Sequence, residues 1–171
     1  MRLADAPGNP RGGTSLTFCG ASNVMYRMGG FDGKAEIGGS IDIYDPVMDH
    51  WTTKTFNADG REGPEARSVG CLVALSGSGE NQKSWLVTAF GERDPSSLGH
   101  AGAGKMLGDV WAYDVKEGVC TEVEQLGEEL PKPRGWFAAE TLGAHGIVVQ
   151  GGLAEDNSRL GDVWVGTFDA Q

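Results

Sequence analysis

The sequence predicts an all-β fold made of three copies of one four-stranded unit, and three observations carry that prediction. A glycine landmark recurs at Met28-Gly29-Gly30, Ala89-Phe90-Gly91 and Gln150-Gly151-Gly152, spaced by 61 residues each time. Between the landmarks the apolar runs are short, rich in Val, Ile, Leu and aromatics, and bounded by Gly, Pro, Asp and Ser, the pattern of strands. Glycine makes up 28 of the 171 residues, well above the usual share of about 7%, so the chain turns often and carries no long helical stripe.

Each copy opens on an arginine beside a turn: Arg11 in PRGG, Arg67 in EARS and Arg134 in KPRG. In the first copy a strand is expected near residues 15–18, and a second over 24–28 that runs into the glycine landmark. Asp32-Gly33 then marks a turn. The third strand, over 40–44, belongs to SIDIYD ending at Asp45, which matches DVWAYD ending at Asp114 and DVWVGT ending at Thr167. The fourth, over 51–55, starts at Trp51, six residues past Asp45, and Cys120 holds the same slot in the second copy. The units span about 11–57, 64–125 and 132–171 of one segment. The third copy lacks its fourth strand, and residues 1–4 are expected to close it from the other end of the chain.

Paired glycines after the second strand, Tyr-Asp at the end of the third and a tryptophan six residues later resemble the kelch repeat. That resemblance implies a kelch-type β-propeller in which each unit is one four-stranded blade. Propeller rings have about four to eight blades, so three are expected to be half of a six-bladed ring, supplied as a fragment or completed by a second copy as a homodimer.

The repeat also serves as a ruler. From the last landmark glycine to the end of the third strand there are 15 residues in the first and third copies, but 23 in the second, between Gly91 and Asp114. The additional eight fall in GERDPSSLGHAGAGK, residues 91–105, as an insertion on a loop, where repeat proteins often place their binding face. Gly99, Gly104 and Lys105 satisfy G-x-x-x-x-G-K, but Met106 follows where a phosphate loop needs a hydroxyl, and the chain runs on into a strand rather than a helix. Glu92, Asp94 and His100 are the alternative: two carboxylates and an imidazole suit a divalent iron or manganese. The bland reading of the same residues is a solvated Asp-Pro turn with a backbone-bonded histidine.

Gly91-Glu92, Asp94-Pro95-Ser96 and Gly99-His100 followed by Ala101-Gly102-Ala103-Gly104 resemble the nitrile-specifier, thiocyanate-forming and epithiospecifier family of kelch proteins. Lys132-Pro133-Arg134-Gly135-Trp136 is similar to the blade entry of that family. The resemblance implies an iron(II) site on Glu, Asp and His at four-residue steps, acting in the breakdown of glucosinolate-type aglucones to nitriles. Glu92 and His100 stand at the matching separation, while Ser96 occupies the central position and Asp94 lies two residues before it. Plainer kelch relatives carry no such chemistry.

Arg11, Arg67 and Arg134 hold equivalent positions, so in a propeller they would stand round the mouth of the channel. Guanidinium groups suit bidentate capture of carboxylate, sulfate or phosphate, or they tie down turns through backbone carbonyls. Trp136 is positioned either to stack on a ligand or to fill the core between blades. His50, His100 and His145 sit on separate loops with no serine in a nucleophile-elbow setting, so no catalytic residue is assigned. A formal net charge of -10 argues against nucleic acid and anionic membrane as partners. Cys19, Cys71 and Cys120 are widely spaced and read as buried thiols, and a cytoplasmic location is expected. The first functional expectation is a binding module for an acidic peptide or small anion; the second is an iron(II)-dependent, specifier-like protein.

Overall fold

The computed structural model describes residues 1–76, 83–98 and 102–168. It is all-β, with antiparallel sheets and no helix among the described residues. Sheet I is a four-stranded meander of β1 (Ser15–Cys19), β2 (Val24–Met28), β3 (Ser40–Asp45) and β4 (His50–Thr55). Sheet II repeats it with β5 (Cys71–Ser76), β6 (Ser84–Ala89), β9 (Val110–Asp114) and β10 (Cys120–Glu122). The two-stranded ribbon of β7 (Glu92–Arg93) and β8 (Lys105–Met106) lies between β6 and β9 in the chain. Sheet III contains β11 (Ala138–Leu142), β12 (Gly146–Leu153) and β13 (Arg159–Thr167).

Residues 1–4 do not form the outer strand expected of them: sheet III has three strands among the described residues. The opening segment lies against sheet I instead. The Ala4 N–H donates to Asp49 at 2.8 Å, the Trp51 indole N–H donates to the Ala4 carbonyl at 3.1 Å, and Arg27 donates to the Pro7 carbonyl at 2.6 Å. These anchors hold residues 4–7 over Trp51 and Arg27, away from sheet III.

Strand patterning decides how the sheets stack. The strands of sheet II are apolar on both faces, as in CLVAL and WLVTA, because both faces are covered. Leu72, Leu86 and Tyr113 pack on Cys19, Tyr26, Met28 and Ile41 of sheet I. Val73, Val87, Ala89 and Val110 pack on Ile147 and Val149 of sheet III. Fully burying a side chain such as Leu86, Val87 or Ile41 contributes about 1.5–3 kcal/mol. The strands β1, β11 and β13 alternate instead between more and less exposed residues, while β2 and β3 of sheet I bury residues of both faces, Tyr26 beside Arg27 and Ile41 beside Asp42. The first strands line up in sequence across the stack, β1 beside β5 and β5 beside β11.

One pair of backbone hydrogen bonds recurs at both junctions between sheets. Between sheets I and II, the Val69 N–H donates to the Gly13 carbonyl at 2.8 Å and the Gly30 N–H to the Arg67 carbonyl at 2.9 Å. Between sheets II and III, the Trp136 N–H donates to the Val69 carbonyl at 3.0 Å and the Gly91 N–H to the Arg134 carbonyl at 2.8 Å. Gly13, Val69 and Trp136 are repeat-equivalent, and all three are left-handed, with φ of 59°, 49° and 53°. A β-branched valine and a tryptophan hold that backbone against its intrinsic cost, so the junction geometry must fix it.

Candidate functional site

Each entry arginine is built the same way. Its Nε donates to the carbonyl two residues back, Asn9 for Arg11, Glu65 for Arg67 and Lys132 for Arg134. One terminal nitrogen donates to the first residue of the glycine landmark pair: the carbonyl of Gly29 for Arg11, Phe90 for Arg67 and Gly151 for Arg134. The two later arginines go further. Arg67 grips Asp109 through both carboxylate oxygens at 2.8 and 2.7 Å, and Arg134 grips Asp162 likewise at 2.7 and 2.9 Å. The Trp111 and Trp164 indoles each donate to the same carboxylate, at 2.7 and 2.6 Å. Arg67 is 3% exposed and Arg134 is 0% exposed. The carboxylates expected of a ligand are therefore supplied to both by the chain itself.

Arg11 departs from its two counterparts. The strand register places Ile41, Val110 and Val163 opposite the equivalent residues Met28, Ala89 and Gln150, so the residue before each is equivalent too: Ser40, Asp109 and Asp162. Serine stands where the other copies have the clamping aspartate. Two residues on, Asp42 replaces the tryptophan, and its carboxylate is taken by Arg27 at 2.7 and 3.1 Å and by the Thr53 hydroxyl at 2.7 Å. The Arg11 bonds to the Asn9 and Gly29 carbonyls are both long, 3.4 Å. Burial, then the nearby Arg27 charge, lowers the pKa of Arg11, with Asp42 and Asp32 opposing.

These clamps make the fold acid-sensitive. Burial pushes the Asp109 carboxyl up, but the Arg67 bond and charge, together with the Trp111 indole, hold it below its ordinary value. The Arg134 bond, helped by Trp164, holds Asp162 well below the usual range. A depressed folded-state value means that the clamps contribute stability above the ordinary Asp pKa of about 3.9, and lose it as pH falls through the lowered values. Melting temperature is expected to fall between about pH 4 and about pH 2, and Asp162→Asn is expected to flatten that fall while lowering the plateau above it.

On the inserted loop, Glu92 is buried and its Oε1 accepts from the Gly104 N–H, closing the base of the ribbon. Its backbone pairs with Ser68 in both directions, at 2.8 and 2.9 Å. The Asp94 side chain is 75% exposed and lies 3.5 Å from the Arg93 Nε. His100 lies outside the described residues. Among the described residues no three Asp, Glu, His or Cys side chains are grouped as metal ligands. Lys105 is in strand β8, so the Gly-Lys sequence opens no helix. Asn157, on the turn before β13, accepts from the Ala103 N–H at 2.7 Å and ties the insertion to sheet III.

Trp136 is 44% exposed and lines an open cleft of about 730 Å³ with Gly102, Ala138, Gln150, Arg159 and Leu160. Cys19 and Cys71 are buried, Cys120 is half-buried, and all three are free thiols. Burial pushes the Cys71 thiol up to about 12. Among the described residues no helix is long and apolar enough to cross a membrane.

No protein-family profile matches the sequence. Among solved structures the match is broad, with 109 chains found, so the stacked-sheet arrangement is a recurrent one. One of them, titled "Structure of YjhT", aligns with a TM-score of 0.64 at 13% identity, covering 94% of this chain and 43% of that one. At that identity the likeness concerns fold alone, and this chain spans less than half the length of the structure it matches.

Sequence reasoning found the arginines but not their partners. The signal was present in DVW, which recurs at Asp109 and Asp162 and is replaced by SID in the first copy. Burial raises the pKa of Glu36, and the charges of Glu92 and Asp94 add to the shift.

Proposed function

We propose that the chain is half of a kelch-type β-propeller and works as a binding module for an acidic peptide or small anion, with Arg11 as the receiving group. The observation that carries this reading is the substitution at Ser40. Three equivalent guanidinium groups share one backbone cradle, two hold an internal carboxylate in bidentate geometry, and the third has a hydroxyl-bearing residue in that place. A carboxylate brought by a ligand would meet the planar fork of Arg11 as Asp109 meets Arg67. It would also offset the unfavourable effect of burial and of Arg27 on the Arg11 charge.

The test uses carboxylate as the probe. Replacing chloride by acetate at equal ionic strength is expected to raise the melting temperature of the wild type. Ser40→Asp is expected to supply the carboxylate from within, adding about 1–2 kcal/mol of stability and removing the acetate response. An acidic peptide titrated calorimetrically should bind the wild type and lose most of its heat with Arg11→Ala. A wild type indifferent to acetate, with Ser40→Asp no more stable, would count against Arg11 as the anion site.

An iron(II), specifier-like role on Glu92, Asp94 and His100 is the second reading, supported by the eight-residue separation of Glu92 and His100 and by the family resemblance of residues 91–104. For Glu92 to ligate a metal it would have to release the Gly104 N–H and so loosen the base of the ribbon. Calorimetry with iron(II) on wild type and His100→Ala tests this: uptake lost on substitution supports it, and no uptake by the wild type sinks it.

A further inference from the structure

Two of the backbone bonds that join sheet I to sheet II recur, atom for atom, between sheet II and sheet III. At each junction the second landmark glycine, Gly30 or Gly91, donates to the carbonyl of the next entry arginine. At each junction the left-handed residue of the next entry donates to its counterpart in the sheet before, Val69 to Gly13 and Trp136 to Val69. Extending the series by one step names four groups. At the sheet III end they are the Gly152 N–H and the Trp136 carbonyl, and at the sheet I end the Arg11 carbonyl and the Gly13 N–H. The donor of one end matches the acceptor of the other, twice.

The side chains at the two ends match in the same sense. On the outer face of sheet III stand Leu142, Val163 and Val165, and on the outer face of sheet I stand Leu16 and Phe18, each more than half exposed. By register these belong to the two kinds of face that meet inside the stack. The Val148 face of sheet III is equivalent to the Tyr26 face of sheet I, which packs on sheet II. Leu16, opposite Arg27, is equivalent to Leu72, which sheet II packs against sheet I. The cleft beside Trp136 and Gln150 lies where the next entry turn would sit, since Val69, equivalent to Trp136, contacts Gly13 and Gly135 of its neighbours. Residues 4–7 lie over the Arg27 and Trp51 part of this face and leave Leu16 and Phe18 exposed. They occupy on sheet I the place of the linker around Pro64, which lies among residues of sheets I and II.

We infer that a second copy of this chain docks head to tail on the first, the outer face of sheet III on the partner's sheet I and the reverse. The result is a closed, two-fold ring of six sheets. Both interfaces reuse the internal junction: the Gly152 N–H meets the partner's Arg11 carbonyl, and the Trp136 carbonyl receives the partner's Gly13 N–H. Two identical head-to-tail interfaces close the ring and leave neither terminal face in water. Trp136 then becomes an inter-sheet core residue. Because each copy carries a charge of -10, salt should favour pairing by screening their repulsion.

The inference rests on the propeller arrangement proposed above. Sedimentation equilibrium of the full chain at micromolar concentration, with and without added salt, tests it. A species of twice the 18.0 kDa chain mass is expected, more populated in high salt. Val165→Glu and Phe18→Glu each alter an exposed position, so each is expected to keep the β-type circular dichroism spectrum and to sediment as a monomer. A wild-type monomer overturns the inference, as does a dimer that both variants leave intact. A monomer that still answers to acetate through Arg11 overturns the pairing alone and leaves the anion-binding reading standing.

Discussion

Arg67→Ala is expected to destabilise the fold by about 3 kcal/mol, read as a shift in the denaturant midpoint without a change in slope. The change removes a 3%-exposed guanidinium and strands its partners: the Asp109 carboxylate loses both bonds from Arg67, and the Phe90 carbonyl loses a donor. The figure sits at the lower end for a broken buried pair because the Asp109 side chain is 21% exposed and can be partly rehydrated. Arg67→Ala combined with Asp109→Ala should recover part of the loss, since no charge is then left without its counterpart. A double variant less stable than the sum of the two singles would contradict the clamp. Arg11→Ala, with two long carbonyl bonds and no clamped carboxylate, is expected to cost much less.

Gly91→Ala is expected to cost about 2–3 kcal/mol, from backbone strain together with a direct collision. Gly91 has φ of 102°, and a Cβ there would stand 2.7 Å from the Ser68 carbonyl oxygen, the acceptor for Glu92 N–H. The substitution would therefore loosen the ribbon that carries the inserted loop, besides lowering stability. Phe90→Gly offers the contrast. Its backbone, at φ of 57°, is the ordinary left-handed region and suits glycine, so the loss should come from the side chain: its edge-on contact with Phe137 at 5.5 Å and its place in the core. Equilibrium unfolding of the two variants should separate a backbone effect from a packing effect.

Those two positions explain how the sequence could be read through an imperfect repeat. The first landmark residue is left-handed in every copy, φ of 69°, 57° and 69°, a conformation that a side chain tolerates at some cost, so phenylalanine can stand there. The second lies at 108°, 102° and 113°, outside that region, and glycine occupies it all three times. Strand positions were legible because the apolar runs are short and bounded by Gly, Pro, Asp and Ser, and the covered faces show in the alternating strands β1, β11 and β13 and in the continuously apolar strands of sheet II. The arginine partners were less legible, because a bidentate clamp joins residues 42 or 28 positions apart and depends on strand register. Residues 1–4 were misread because what holds that segment, Asp49 and Trp51, is in the first unit and leaves no pattern within the segment. The metal reading rested on residue types, their spacing and a family resemblance, none of which records that Glu92 turns inward to Gly104 while Asp94 turns out to solvent.

The presence of SID where the other copies have DVW makes the three units unequal in chemistry. Copies that keep the clamp hold their arginine on an internal carboxylate. In the first copy the carboxylate stands two residues further along and is held by Arg27, so Arg11 has no internal clamp of the kind that Arg67 and Arg134 have. One residue difference, Ser40 where the other copies have aspartate, is thus enough to make one of three otherwise equivalent arginines unlike the rest.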